Sequence, residues 1–177
     1  MILLKEVPTL KHKKKIILLC VLSIVILWLS TTTNTVLILE NLPSSKTIFI
    51  SRVYTDDEFT MRWMHSVELA PWEEIFRIDE KGEIVLDRTR FKAFGAGVPS
   101  SAGNKAMIKD GYVVYSGINK KIPEITYGIS NFAKHTFYFK NKEYKLYEMV
   151  KNDSPIKIST TQIHVLPYLI KKLDTLR

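Results

Sequence analysis

The fold is decided by the stretch Glu73-Glu-Ile-Phe-Arg-Ile-Asp79 and the stretch Glu83-Ile-Val-Leu-Asp-Arg-Thr-Arg-Phe91, which the turn residues Lys81-Gly82 separate. Phe76 and Ile78 alternate with polar residues in the first stretch, so an extended chain places both side chains on one face. The second stretch follows the glycine turn and supplies a partner strand. Together they predict an antiparallel β-hairpin with one buried face.

Short segments of alternating polarity recur on both sides of this hairpin. The segment Glu58–His65 would place Phe59, Met61, Trp63 and His65 on one face of a strand. The other predicted strands are Val36–Glu40, Thr47–Val53, Tyr112–Ser116, His135–Lys140, Glu143–Tyr147 and Ile156–Ser159. About nine strands in roughly 140 residues predict a mainly β fold, either an antiparallel β-sandwich or a partly open barrel.

The periodicity changes near the C-terminus. Apolar residues there fall at helical spacing, namely Ile163, Leu166, Leu169, Ile170 and Leu173. Pro167 is acceptable in the first turn of a helix, where its missing N–H would have no intrahelical partner. This pattern predicts that the chain ends in a short helix beginning at about Pro167.

The N-terminal segment is typical of a membrane anchor. A basic tract, Lys11–Lys15, precedes an uncharged apolar run that continues through residues 16–33. As a helix this run would be about 27 Å long, close to the hydrocarbon thickness of a bilayer. Trp28 stands where an interfacial aromatic residue is expected, and the positive charges precede the run. The sequence therefore predicts a cytoplasmic tail at residues 1–15, a transmembrane helix at 16–33 and an extracytoplasmic domain at 34–177.

A cleaved signal peptide has the same basic-then-apolar layout. Ser30-Thr31-Thr32 is a poor match to the small residues of a cleavage site, so an uncleaved anchor is favoured. Cys20 lies early in the apolar run, after Leu19, which does not suit a lipid-modified N-terminus. As the only cysteine it cannot form an internal disulfide, so the outer domain must fold on core packing alone.

The distribution of charge argues against nucleic-acid binding. The chain has a formal net charge of +8. Half of this excess lies in the first 30 residues, and the other half is spread over the body with acidic residues interleaved. A phosphate-binding face would require a basic stripe or cluster. We therefore expect an association with the membrane and none with nucleic acid.

A first unusual stretch is His65-Ser-Val-Glu-Leu-Ala-Pro-Trp-Glu-Glu74, which carries one histidine and three carboxylates around a proline. Imidazole and carboxylate groups together can bind a divalent ion. The spacing is not the His-Glu-x-x-His pattern of helix-borne zinc sites. We take His65, Ser66, Glu68 and Glu73 as candidates for binding a ligand or a partner.

Two alternatives to ligand binding remain open for this stretch, one structural and one catalytic. His65 would be an inward, hydrogen-bonded histidine and a pH-sensitive group, since an unperturbed histidine has a pKa of about 6.5. Glu68 or Glu73 would then cap backbone amides of the turn. Ser66 and His65 are neighbours on opposite faces of a strand, so they are not a nucleophile–base pair. Glu68 and Glu73 could form an acid–base couple, but acidic pairs are frequent in loops.

A second unusual stretch is Arg90-Phe-Lys-Ala-Phe-Gly-Ala-Gly-Val-Pro-Ser-Ser-Ala-Gly103. It lacks the third glycine and the βαβ context of a dinucleotide loop, and it lacks the Gly-Lys-Ser/Thr ending of a phosphate-binding loop. The pattern predicts a strand that runs into an irregular loop, where Gly95 and Gly97 allow positive φ or close backbone approach. Free amides of that loop, with Arg90 or Lys92, are candidates for binding an anion.

The two stretches together resemble a known family. The strings are Trp63-Met-His-Ser-Val-Glu68 followed by Pro71 and Glu73-Glu74, and Arg90-Phe-x-x-Phe-Gly-Ala-Gly-x-Pro99. They are similar to an uncharacterised bacterial family, the domain of unknown function numbered eighteen-fifty, over roughly residues 36–150. The resemblance implies a small membrane-anchored or exported domain, often encoded beside tripartite (TRAP-type) solute transporters of the TAXI class. It implies no activity and no cofactor.

Three functional hypotheses follow. The leading one is an accessory or regulatory subunit of a TRAP-type transporter at the cell membrane, whose partners would be the permease and its solute receptor. The second is a module of the cell envelope that binds a small ligand or a metal ion. The third is an envelope enzyme acting on acidic or glycan substrates, although no catalytic motif occurs in the sequence. We expect no cofactor.

Overall fold

The computed structural model describes residues 10–92 and 103–176 of the chain. Eleven strands and three helices are present in these residues. In chain order they are α1 Leu10–Thr31, β1 Thr33–Asn41, β2 Lys46–Arg52, β3 Glu58–Met64, β4 Pro71–Ile78, β5 Ile84–Phe91, β6 Lys105–Lys109, β7 Tyr112–Lys121, β8 Glu124–Ile129, β9 Thr136–Phe139, β10 Lys142–Lys145, α2 Leu146–Met149, β11 Ser154–His164 and α3 Val165–Asp174.

The strands form two antiparallel sheets. A four-stranded sheet has the order β2-β1-β11-β8, and a seven-stranded sheet has the order β10-β9-β3-β4-β5-β7-β6. Apolar side chains from both sheets meet in one core, where the rings of Phe49 on β2 and Phe137 on β9 pack edge to face at 5.1 Å. In the described part of the chain the sheets do not close into a barrel. The prediction of a mainly β, antiparallel two-sheet fold is confirmed.

Strand β1 is buried on both of its faces. Leu37 and Leu39 point into the core between the sheets, whereas Val36 and Ile38 form a second cluster with Tyr168 of α3. All four aliphatic side chains are at most 5% exposed. A strand covered on two sides carries a continuous apolar run instead of an alternating one, which explains the Val-Leu-Ile-Leu sequence of β1.

Two strands, β6 and β8, were not predicted from the sequence. All residues of β6 are exposed, so this edge strand has no buried face to impose alternation. Strand β8 contains Gly128 and buries one residue fully, Ile129. The C-terminal helix begins at Val165, two residues before the predicted start at Pro167, and His164 precedes it in an extended conformation.

The register of the strands defines two ends of the sandwich. At the α1 end, Thr33 of β1 pairs with His164 of β11, and the amide of Val165 donates to the carbonyl of Thr32 at 3.0 Å. At the far end, the amide of Leu42 donates to the carbonyl of Pro155 at 3.1 Å. β1 is nine residues long, so these two ends are about 26 Å apart.

The β3–β4 connection belongs to the far end. Strand β11 pairs with β8 there, with Ser154 opposite Ile129. The loop after Ile129 reaches β3, because the amide of Met64 donates to the carbonyl of Ala133 at 2.7 Å. The β4–β5 turn instead lies at the α1 end, since a Cβ on Gly82 would come within 2.9 Å of the Thr35 side chain.

Helix α1 is long and apolar enough to cross a bilayer. The span His12–Thr31 has 20 residues and a mean hydropathy of 2.0, and none of its apolar window is buried against the protein. Its hydroxyl groups are satisfied within the helix: Ser30 donates to the carbonyl of Ile26 at 2.8 Å and Thr31 to that of Leu27 at 3.0 Å. Such bonds back to the helix make hydroxyl side chains tolerable in an apolar environment.

The shared core should be sensitive to truncation. Ile158 is fully buried on β11, whereas Ile108 on β6 is 81% exposed. We expect Ile158→Ala to lower the free energy of unfolding by about 2–5 kcal/mol, because it removes buried methyl groups and leaves a cavity. The matched change Ile108→Ala should stay within about 0.5 kcal/mol. Denaturant unfolding of the purified full chain, followed by tryptophan fluorescence, measures both, and equal losses would contradict the described core.

Candidate functional site

A buried carboxylate lies between two arginines on the outer face of the seven-stranded sheet. Arg62 of β3, Glu73 of β4 and Arg90 of β5 are directly opposite one another in the strand register. Nε and Nη2 of Arg90 each lie 2.6 Å from Oε2 of Glu73, and Nε of Arg62 lies 3.8 Å from Oε1. They face away from the core because Phe59 and Met61, which alternate with Arg62, occupy the inner face.

The charges of this row do not balance. The side chain of Glu73 is 6% exposed, whereas those of Arg62 and Arg90 are 45% and 43% exposed. One buried negative charge therefore lies beneath two half-exposed positive charges. A guanidinium has five N–H donors in a fixed fork, so each arginine has more donors than its contact with Glu73 uses. The surface can accept an anionic group while Glu73 holds the guanidinium groups in place.

Tyr112 extends this basic surface. Its ring, at the start of β7, lies 4.9 Å from Cζ of Arg90 and 4.8 Å from Nζ of Lys92. A cation over an aromatic face is attracted by the ring quadrupole. The tyrosine therefore holds two cations close together at the end of β5, where the sequence predicted an anion-binding group.

The β3–β4 connection is organised by His65. Its Nδ1 accepts a hydrogen bond from the amide of Glu68 at 3.3 Å, and its own backbone bonds to Leu69 and Ala70. The imidazole stacks on Trp72 at 5.7 Å. His65 is half-buried one residue beyond the end of β3, and its ring lies against Trp72, on the face where the alternation of β3 predicted it. The imidazole, and not Glu68 or Glu73, caps the turn amide.

Three exposed apolar side chains project from the end of the sandwich that carries the β3–β4 connection. Val67 and Leu69 in the β3–β4 connection are 65% and 62% exposed, and Phe132 in the neighbouring loop is 59% exposed. Between the two loops lies a pocket of about 260 Å³. Its lining includes Arg62, Trp63, Met64, Leu69, Pro71, Lys134, Tyr138 and Tyr147. We call the surface formed by Arg62, Val67, Leu69, Arg90, Phe132 and Lys134 the motif edge.

Packed aromatic rings support the motif edge from the inner side. Trp63 and Trp72, opposite one another on β3 and β4, stack at 5.6 Å, and Trp72 contacts Phe91 at 5.3 Å. The indole of Trp72 donates to Oγ1 of Thr89 at 2.8 Å, and that hydroxyl donates to the carbonyl of Glu73 at 3.0 Å. These contacts fix the backbone on which the ion-paired row is displayed.

A second carboxylate, Glu74, points inward. The hydroxyl of Tyr127 donates to it across the space between the sheets. Burial raises the pKa of Glu74, and the hydrogen bond from Tyr127 only partly opposes this. Burial and the neighbouring carboxylate likewise raise the pKa of Tyr127 well above its ordinary value. Near them, burial lowers the pKa of His135. Adjacent glutamates thus face opposite sides of the sheet in different electrostatic environments.

The structure brings together only some of the residues that the sequence indicated. Glu73 and Arg90 are in direct contact. Ser66 is exposed and Glu68 half-buried in the β3–β4 connection. Gly95 and Gly97 lie outside the described residues.

Arg62, the second partner of Glu73, was missed by sequence reasoning. Its position, alternating with the apolar residues of β3, was the available signal. Across residues 10–92 and 103–176, no group of three or more His, Cys, Asp or Glu side chains is arranged to hold a metal ion.

The fold and this surface define a β-sandwich domain attached to a candidate membrane-spanning helix. Residues 59–146, from β3 to the start of α2, match the family model described as Domain of unknown function (DUF1850). Both motifs lie inside the match, which confirms the resemblance seen in the sequence. No curated protein and no solved structure matches the chain.

The raised pKa of Glu74 gives a pH-dependent stability. Folded protein retains this proton where the unfolded chain, with the ordinary pKa of 4.5, has released it. The free energy of unfolding should therefore fall as pH rises through the interval between 4.5 and the raised pKa. We expect Glu74→Gln to remove that decline and to raise the Tm at pH 7, because the amide can still accept from Tyr127.

Thermal unfolding of both proteins between pH 4.5 and 8 measures this effect. His135 is common to the two proteins, so its own titration cancels in the difference. Glu143→Gln, which removes an exposed carboxylate on β10, is the matched control. A difference between wild type and Glu74→Gln that does not change with pH would contradict the buried, proton-retaining carboxyl.

Proposed function

We propose that the chain is an accessory subunit of a solute transporter, of the TRAP type, whose β-sandwich stands on the extracytoplasmic side of the membrane. In this proposal residues 1–15 are cytoplasmic, α1 crosses the bilayer and residues 34–177 lie outside. The observation that carries the proposal is the position of the motif edge, at the end of the sandwich opposite to α1. A membrane-anchored domain would present that end outward.

The chemistry of the motif edge suits a protein partner. Arginine and aromatic residues are enriched where proteins bind one another, and contacts of high energy centre on a few such side chains. Here Val67, Leu69 and Phe132 are exposed around a shallow pocket, with Arg62 and Arg90 beside them. Aromatic packing and the Glu73 ion pairs make this surface preformed, so little ordering would be lost on binding.

Distance favours one component of the transporter. The motif edge is separated from the end of α1 by the length of β1, about 26 Å. A partner that contacts it must extend well above the bilayer, as an extracytoplasmic solute receptor would. The lipid-embedded permease would be reached through α1 instead, which exposes apolar side chains along its length. His65, Ser66, Glu68, Glu73 and Arg90, with Gly95 and Gly97, are the residues that we assign to partner binding.

A second candidate function is binding of a small anion in the pocket beside Arg62. Arg62 and Lys134 supply positive charge, and Tyr138 and Tyr147 contribute to the lining. The volume of about 260 Å³ is slightly below the range of typical ligand pockets, so the ligand would be a small carboxylate or phosphate. A stability gain with such anions that Arg62→Ala abolishes would favour this function over partner docking.

Site-specific photocrosslinking tests the partner proposal. A benzophenone amino acid placed at Leu69 should crosslink to a transporter component in native membranes, because this side chain projects from the motif edge. The same probe at Ile108, which is also exposed but lies on edge strand β6, is the matched control. Mass spectrometry identifies the product, and equal products from both positions, or none from either, would refute the proposal.

Substitutions in the motif edge measure how much this surface contributes to partner binding. Leu69→Glu should reduce recovery of the crosslinked or co-purified component by about tenfold or more, since it places a charge in an apolar contact. Ile108→Glu should leave recovery unchanged. Both side chains are exposed, so neither change should alter the Tm. Undiminished recovery with Leu69→Glu would show that the partner binds elsewhere.

Topology is tested separately in spheroplasts. With Cys20 replaced by serine, Ser66→Cys should react with a membrane-impermeant maleimide, because the residue is exposed on the proposed outer domain. Lys5→Cys should react only after permeabilisation, since the basic tail is expected in the cytoplasm. The reverse pattern of labelling would overturn the orientation.

A further inference from the structure

Helix α3 leaves a broad apolar face uncovered. Val165 and Tyr168 are buried against the four-stranded sheet. The other large aliphatic residues of the helix are 42–61% exposed, namely Leu166, Leu169, Ile170 and Leu173. At about 100° per residue these four fall within an arc of roughly 100°, directed away from the sheet. Leu176, just beyond the end of the helix, is 77% exposed.

This face lies where α1 enters the sandwich. The amide of Val165, the first residue of α3, donates to the carbonyl of Thr32, and Thr31 is the last residue of α1. The pairing of Thr33 with His164 fixes the same arrangement through the sheet. The exposed stripe therefore begins at the level where the candidate membrane span ends, and α3 contacts α1 there.

The polar side of α3 is basic. Lys171 and Lys172 lie in its last turn. The ammonium of Lys172 donates to the hydroxyl of Tyr168 at 3.0 Å, and the guanidinium of Arg52 lies 5.0 Å from the same ring. Cations beside an apolar stripe are typical of helices that lie in the plane of a membrane, where the stripe enters the acyl boundary and the cations meet lipid phosphates.

We propose that α3 is an interfacial helix whose stripe of Leu166, Leu169, Ile170 and Leu173 lies in the lipid leaflet next to the exit of α1. The occupant of this face is lipid. The inference rests on the membrane assignment of α1, and it is independent of which partner contacts the motif edge.

Two attachments would then fix the domain on the membrane. A single span with a free joint would let the sandwich tilt, whereas α1 and α3 together hold one end of the sandwich at the bilayer. Because α3 packs on β1 through Tyr168, the direction of β1 relative to the surface becomes fixed. The motif edge, at the other end of β1, would be held at a constant height.

Spin-label accessibility in the full chain tests the proposal. With Cys20 replaced by serine, nitroxide labels are placed at Leu169→Cys and Leu173→Cys, and the protein is reconstituted in 3:1 phosphatidylcholine–phosphatidylglycerol vesicles. Labels in lipid collide more with oxygen than with a water-soluble nickel chelate. We expect oxygen to be favoured severalfold at both positions. Val67→Cys, an aliphatic position at the far end whose exposure (65%) is close to that of Leu173 (61%), is the matched control and should favour the nickel chelate.

Each outcome decides the question. Nickel accessibility at positions 169 and 173 equal to that at 67 would show that the stripe faces water and would overturn the proposal. Low accessibility to both reagents would show that protein covers the stripe, which also overturns it. A label on native Cys20 checks the span itself: if that site does not favour oxygen, the membrane assignment of α1 fails before α3 is judged. Should either variant fail to fold, Leu166→Cys and Ile170→Cys report on the same face.

Discussion

The pairing of β1 with β11 is the constraint on which the rest of the structure depends. These strands are in register over nine residue pairs, from Thr33 opposite His164 to Asn41 opposite Ile156. This single ladder joins the end of α1 to the start of α3, and it sets the buried centre of the four-stranded sheet. One face of β1 completes the core with the seven-stranded sheet, and the other binds Tyr168. The two ends of this ladder therefore define the two ends of the sandwich.

The seven-stranded sheet uses its two faces for different purposes. Its inner face packs phenylalanine and tryptophan rings and holds Glu74 in a desolvated environment that favours the protonated carboxyl. Its outer face carries Glu73 between two arginines that remain half exposed. Adjacent residues of one strand point to opposite faces, so a Glu-Glu pair yields one carboxylate that is ion-paired with arginines and one carboxyl that faces the core. The basic surface and the aromatic rings that support it therefore lie on the two faces of the same strands.

Sequence alone predicted much of the fold. Alternation in β3, β4 and β9 marked them as strands because each has one core face, and β5 was predicted as the hairpin partner of β4. The apolar run of α1 marked it as a candidate span. Strand β6 was missed because an exposed edge strand has no periodicity to detect. For the candidate site, Glu73 and Arg90 were named from their motifs, but Arg62 was not, since its partner is chosen by strand register and not by proximity in sequence.

Sequence by itself determined which segments are extended, which segment is apolar enough for a bilayer and which two motifs are unusual, because these properties depend on local composition and period. Tertiary structure decided what those segments meet. It made His65, on the inner face just beyond β3, the hydrogen-bond acceptor that organises the β3–β4 connection. It also placed the motif edge at the end of β1 away from α1, and the start of α3 at the end next to α1. Such relations come from long-range hydrogen-bonded register and from packing on both faces of a sheet, which no local pattern encodes.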